Sequence, residues 1–300
     1  MTQPNFIAES VSPTPTDVGR CVRLIRAAER SGFTEVKFHQ ARAETLFAND
    51  GQGVRPLRYA DGIAELPEAS HSELSSLAAD CGMYYSVTPH YLRAIAVAEP
   101  WVDTFAVSSY QLLWLPLLRE LGATQKPLRV SVGMAEMDEV VQAVEVLRDA
   151  GATQIELLHS VNCYPTPPEA ANLRAISTLR ERLGLPVGWA DHTGHEGIVT
   201  RALRIWGASS VELVFDYDGS SAQAASSYAW TPPAIARLRR GLGQEAALAS
   251  GSVGDGNGIK MAHPLERSER DWRCDPLDGL RPLRGLRPEA SALSELALGV

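Results

Sequence analysis

The chain has 300 residues, 45% of them hydrophobic and 21% charged, with a net charge of -8. That length suits one large core better than two equal domains, and the acidic balance argues against a nucleic-acid partner, because phosphate binding favours a basic surface. Four cysteines without a C-x-x-C pair argue against a disulfide framework or zinc site, no apolar run approaches the roughly 18 residues of a membrane span, and the N-terminus lacks a signal-peptide pattern, so a cytoplasmic protein is expected.

Short apolar runs bounded by turn residues predict eight strands, at 6–9, 35–38, 84–88, 104–108, 128–132, 155–159, 187–190 and 210–215. Helical spacing lies between them. In 18–30, Cys21, Leu24, Ile25 and Ala28 fall on one side, and 139–150 repeats Val140, Val144 and Leu147. Residues 173–183, 198–206 and 234–242 read the same way. Gly32, Gly82, Gly122, Gly151, Gly184 and Gly207 precede strands, where glycine relieves a left-handed helix C-cap. Residues 50–70 form a long polar loop, either a lid or surface decoration.

Eight strand–helix units in series predict an α/β protein, a (β/α)8 TIM barrel over 1–243. No G-x-G-x-x-G follows the first strand, which weakens a dinucleotide fold. Residues 244–300 read as a linker, Gly/Ser-rich over 250–258, and a C-terminal tail in which Trp272 is the expected anchor.

Polar residues gather where the strands end. The run His159-Ser160-Val161-Asn162-Cys163-Tyr164-Pro165-Thr166-Pro167 and the run Val187-Gly188-Trp189-Ala190-Asp191-His192-Thr193 each close an apolar segment with polar groups. A buried parallel strand whose C-terminal tip faces a ligand has this pattern. Asp216 and Asp218 alternate and so share a face, either a cation site or a solvated strand end. His159 reads as a hydrogen-bonded structural histidine, and Glu9 and Asp191 as either functional carboxylates or helix caps.

With Val36-Lys37-Phe38, Val132-Gly133-Met134-Ala135 and Asn172-Leu173-Arg174-Ala175-Ile176, these tips resemble the sialic acid synthase (N-acetylneuraminate synthase-like) family over residues 5–243. The resemblance implies condensation of phosphoenolpyruvate with an N-acylated amino sugar or related aldehyde, releasing phosphate. It implies that Lys37 meets the phosphate, that Thr88, Ser108 and Ser131 supply hydroxyl donors, and that Asn162 and Tyr164 hold the ligands. Glu9 matches the family's acid/base, with Asp191 and His192 as further catalytic candidates. A divalent metal, Mn2+ or Mg2+, is implied, with His192 as one ligand and Asp216 as a candidate second. A homodimer is implied as well.

Departures from the family pattern gather at the site. Glu9 is followed by Ser10-Val11-Ser12-Pro13, Phe105 stands where a lysine is expected, Ala190 replaces a serine, and Val214 stands for a second metal-binding histidine. The 220–223 region lacks a Pro-Gly-Pro-Asp stretch, and no counterpart of the family's C-terminal antifreeze-like domain is seen. Residues 271–276 and 278–282 resemble the tail of a subgroup of that family. Three readings follow: a synthase, a degenerate barrel that binds or scaffolds, and a Schiff-base aldolase for which Lys37 is the strand-borne candidate.

Overall fold

A computed structural model describes residues 4–10, 17–48, 65–219, 228–242 and 252–287. Its strands are β1 (Asn5–Ser10), β2 (Glu35–Gln40), β3 (Tyr84–Pro89), β4 (Thr104–Val107), β5 (Leu128–Ser131), β6 (Ile155–His159), β7 (Val187–Asp191) and β8 (Ser210–Phe215). They pair in parallel in chain order, and β8 closes onto β1 through six register partners from Asn5–Ser210 to Ser10–Phe215. The predicted barrel is the observed one, with strand ends shifted by a residue or two.

The helices are α1 (Val18–Ser31), α2 (Ala43–Leu46), α3 (Ser70–Asp80), α4 (Leu92–Ala98), α5 (Leu115–Ala123), α6 (Met137–Asp149), α7 (Ala175–Leu183), α8 (Glu196–Arg204), α9 (Pro232–Leu242) and α10 (Arg267–Asp271). Helix α1 ends as its sequence predicts, with Gly32 in the left-handed region at φ 80°. Gly122 differs from expectation. It lies inside α5, and an added Cβ would sit 2.6 Å from the Ala150 Cβ and 2.8 Å from the Leu147 carbonyl. Its role is close contact with the end of α6.

Alternation along the strands sorts the side chains into two populations. Val36, Phe38, Tyr85, Val87, Phe105, Val107, Leu157 and Trp189 join helical residues such as Leu24, Leu117, Val144 and Ile176 in one apolar layer. The opposite parity faces the barrel axis and includes the charged side chains Glu35, Lys37, Arg129, Glu156 and Glu212. Near the strand starts, Arg129 donates to Glu35 at 2.5 Å and to Glu156 at 3.0 Å, and Ser209 and Ser210 donate to the second Glu156 oxygen. This ionic plug closes the lower end and leaves the C-terminal strand ends as the open face.

Residues 252–287 run across that face. Asp255 pairs with Arg201 beyond β7, at 2.6 and 3.0 Å. Leu173 and Arg174 donate their backbone N–H groups to Gly254 and Asp255. Lys260 donates to the Ala135 carbonyl, Cys274 to the Tyr110 carbonyl, and Arg281 exchanges backbone hydrogen bonds with Leu46 and Ala48. The expected flexible linker is therefore pinned over 252–258. Trp272 does anchor the tail, its ring edge-on to Phe47 at 6.1 Å. Residues 50–64 of the predicted loop lie outside the described residues. No helix among the described residues is long and apolar enough to cross a membrane.

Candidate active site

The β6 and β7 tips converge. Asn162 is buried and donates through Nδ2 to the Tyr164 hydroxyl at 2.8 Å, while its Oδ1 accepts from Ser160 at 3.3 Å. The Tyr164 ring lies 4.7 Å from His192 and 5.5 Å from Tyr228, and Tyr228 meets His192 edge-on. His192 Nδ1 lies 2.9 Å from the Val161 carbonyl, which can only accept. The ring therefore carries a proton on Nδ1, and in its neutral form presents Nε2 as a lone pair. Val214 and Tyr228 form a small apolar cluster with Tyr164. Asn162, Tyr164 and His192 are thus brought together at one mouth, beside the valine that stands for the second histidine.

Gly133 makes this packing possible. A Cβ there would lie 1.9 Å from Asn162 Oδ1, 2.6 Å from Ser160 Oγ and 2.9 Å from Ser109 Oγ. The Gly133 N–H donates to Ser109 at 3.0 Å. The tail fixes the same corner from above, since Glu266 Oε1 accepts from the backbone N–H of both Met134 (2.8 Å) and Asn162 (2.6 Å).

A second cluster lies deeper, toward β1, β2 and β8. Lys37 is 4% exposed, with Nζ 2.6 Å from Glu212 and 3.0 Å from Glu9. His39 Nε2 meets the same Glu9 oxygen at 3.0 Å, and its Nδ1 meets His90 Nε2 at 3.0 Å. Burial disfavours the Lys37 charge, but Glu212 and Glu9 outweigh it and raise its pKa. Burial also opposes charge on Glu9, yet Lys37 and His39 hold that carboxyl far below the usual carboxylate range. Glu212 goes the other way: burial, aided by Glu9, pushes it up against the pull of Lys37. Burial, with the positive charges nearby, holds His90 well below the usual imidazole range.

Lys37 is therefore an ammonium clamped between carboxylates. A Schiff-base role needs a free amine, so the aldolase reading is corrected on this geometry. The sequence did not single out Glu212, His39 or His90. Strand parity could have flagged Glu212 and His39, both charged or polar on the inward side of otherwise apolar strands.

The other expected residues are placed as follows. Thr88 shares the inward parity of Ser86 and lies beside His39 in register; its Oγ1 is buried with no hydrogen-bond partner among the described residues. Ser108 starts a short helical turn, its N–H donating to Gln111 at 3.0 Å and its Oγ accepting from Tyr110 at 3.4 Å. Ser131 ends β5, partly buried, on the inward parity of Arg129. Asp191 is 1% exposed and accepts from Trp189, Thr193, Gly194 and Trp230, between 2.7 and 3.1 Å. Those four donors make it a brace for the β7 tip. Asp216 accepts from the Gly219 N–H at 3.0 Å, and Asp218 pairs with Arg20. His159 Nε2 donates to the Ala171 and Asn172 carbonyls, and burial holds its pKa down to about 3, a structural histidine.

Phe105 requires a correction. It pairs in register with Val87 and Leu128 and belongs to the outer apolar layer against the helices. It does not point into the mouth, so no site cation is lost through its side chain. For a metal, His192 Nε2 is one available donor, but no group of three or more His, Cys, Asp or Glu side chains among the described residues is arranged to hold an ion. These residues do not fit a divalent metal by themselves.

Comparison with known proteins decides the family. The NeuB family model matches residues 24–253.

The chain belongs to the NeuB family. An uncharacterized protein from Methanocaldococcus jannaschii is 32% identical over 204 residues, covering 67% of this chain and 58% of its own length. The N,N'-diacetyllegionaminic acid synthase of Campylobacter jejuni is 29% identical, covering 71% of this chain and 67% of that protein. A spore coat polysaccharide biosynthesis protein from Bacillus subtilis is 32% identical over 256 residues, or 82% of this chain and 69% of its own. The Bacillus crystal structure superposes with a TM-score of 0.75 at 25% identity over 90% of this chain and 77% of that one. The chain spans between 58% and 69% of the length of these three relatives in the sequence alignments.

Proposed function

We propose that this NeuB-family barrel condenses phosphoenolpyruvate with the aldehyde of an N-acylated amino sugar, or a related polyhydroxylated aldehyde, releasing phosphate. The observation that carries the proposal is the Asn162–Tyr164–His192 cluster at the C-terminal mouth, packed against Gly133 and fixed from above by Glu266. TIM-barrel chemistry sits at this face. The names of relatives, such as a legionaminic acid synthase, point to the same reaction class.

In this reading, the enol carbon of phosphoenolpyruvate attacks the aldehyde carbon, water adds at C2, and the C–O bond to phosphate breaks. The Asn162 amide and Tyr164 hydroxyl orient the ligands by hydrogen bonding, worth several powers of ten when geometry is preset. Glu9, ionised beside Lys37 and His39, is the carboxylate available for proton handling. His192 offers Nε2 to a ligand hydroxyl. Thr88 and Ser131 supply hydroxyls toward the interior.

The test is phosphate release from phosphoenolpyruvate, with and without Mn2+, across a panel of N-acylated amino sugars and simple aldoses. Release only when an aldehyde partner is present is the expected result. Silence across the whole panel, with folded protein, would leave a ligand-binding barrel without turnover.

A further inference from the structure

With His39 neutral, the hydrogen bonds leading outward from Glu9 admit one consistent set of protons. The Glu9 carboxylate accepts, so His39 donates through Nε2. A neutral His39 then carries a lone pair on Nδ1, so His90 donates to it through Nε2. His90 Nδ1 is left as an acceptor. That atom is buried, the residue is 8% exposed, and it has no hydrogen-bond partner among the described residues. Two residues earlier, inside β3, Thr88 Oγ1 is buried and equally unpartnered among the described residues. Glu212 Oε2, at the inner end of the network, is likewise buried without a partner among the described residues. An unmade hydrogen bond at a buried polar atom costs about 1–3 kcal/mol, so two such atoms at the ends of one hydrogen-bonded chain and a third beside it mark a place where something else binds.

We propose that His90 is a proton-transferring catalytic residue of the mouth, with His39 as the positioning residue that passes its charge to Glu9. The inference rests on the condensation reading above. When water adds to C2, its oxygen bonds to carbon and its proton goes to His90 Nδ1. The Nε2 proton of His90 moves to His39 Nδ1. The positive charge then rests on His39, whose Nε2–H still faces the ionised Glu9, so the charge is stored as an ion pair 3.0 Å across. Reversing the shift returns the proton through His90 to the alkoxide formed from the aldehyde oxygen, which becomes the product hydroxyl. No net proton is gained by the protein. Thr88 Oγ1 is the neighbouring hydroxyl that can hold the water or the sugar oxygen in place. The charged and titratable groups acting on His90 are His39, Arg281, Lys37 and Glu9.

Three measurements on the full chain test this. Nitrogen-15 NMR of the histidines should show His90 neutral with a proton on Nε2 and a bare Nδ1 at neutral pH; a proton on Nδ1 overturns the relay. H90Q and H39Q, checked for folding by circular dichroism, should each lower kcat about 10²- to 10⁴-fold while KM for phosphoenolpyruvate stays within about threefold. H90A should regain part of its kcat on addition of free imidazole, which a purely structural loss does not permit. An active wild type whose H90Q variant keeps its kcat overturns the relay alone. A wild type inactive toward the whole aldehyde panel overturns the condensation reading and the catalytic role with it.

Discussion

Lys37 shows how a residue identified by resemblance acquires its meaning from partners that the sequence does not reveal. Its ammonium is shared by buried Glu212 and half-buried Glu9 on adjoining strands of the barrel. Removing one partner of a buried ion pair typically costs about 3–5 kcal/mol, because charge is left uncompensated. K37M should therefore lower stability by that order in urea unfolding, and the double variant K37M/E212Q should recover part of the loss by deleting one of the facing carboxylates. Equal stability of K37M and wild type would mean the clamp contributes nothing. The polar tips of β6 and β7 were legible because each motif is continuous in sequence. Glu212, His39 and His90 were not, because their roles depend on which strands become neighbours when the barrel closes. Phe105 fails for a related reason. Position within a motif suggested a site residue, while strand parity puts its ring in the outer layer.

Among the elements, the eight strands and the principal helices could be read from apolar spacing to within a few residues, since burial on two sides of a parallel strand leaves a strong signal. The tail could not. Glycine-rich composition suggested a loose linker over 250–258, but composition does not distinguish flexible glycine from glycine required by contact. Gly256 has φ 65°, and a Cβ there would sit 2.2 Å from Asn172 Oδ1. The tail's hold on the site is concentrated in Glu266, which accepts from Met134, Asn162 and His263. E266A leaves those N–H groups without their acceptor, at about 1–3 kcal/mol for each one that stays buried. We expect faster backbone hydrogen exchange in 252–287 and around Asn162, together with weaker phosphoenolpyruvate binding. Unchanged exchange in both regions would show that the tail is held elsewhere. G133A should likewise displace Asn162, costing about 1–3 kcal/mol by overpacking and weakening ligand binding by calorimetry. Wild-type affinity in a folded G133A protein would mean that Asn162 is not held where the ligand needs it.

At the scale of the whole molecule, buried neutral histidines make the fold sensitive to acid. Burial holds His71 down to about 4 and His159 to about 3. His71 accepts from the Tyr85 hydroxyl through Nδ1 and donates to Gln40 through Nε2, an arrangement that only the neutral ring can make. In the unfolded chain these rings take up protons below their ordinary value of about 6.5. Stability is therefore fully present above that pH and is lost as pH falls from about 6.5 toward 4 and 3. By pH 5 the loss is about 2 kcal/mol for each histidine. Urea midpoints should drop between pH 7 and pH 5; identical midpoints would contradict the neutral assignment. The proposed reaction joins phosphoenolpyruvate to a sugar aldehyde among the polar groups at the C-terminal mouth of this barrel. The most direct measurement is mass spectrometry of the product alongside phosphate release. The account predicts one new acid whose mass is that of the sugar plus phosphoenolpyruvate plus water less phosphoric acid, formed mole for mole with phosphate. Phosphate released without an aldehyde, or no new acid from any sugar in the panel, would contradict it.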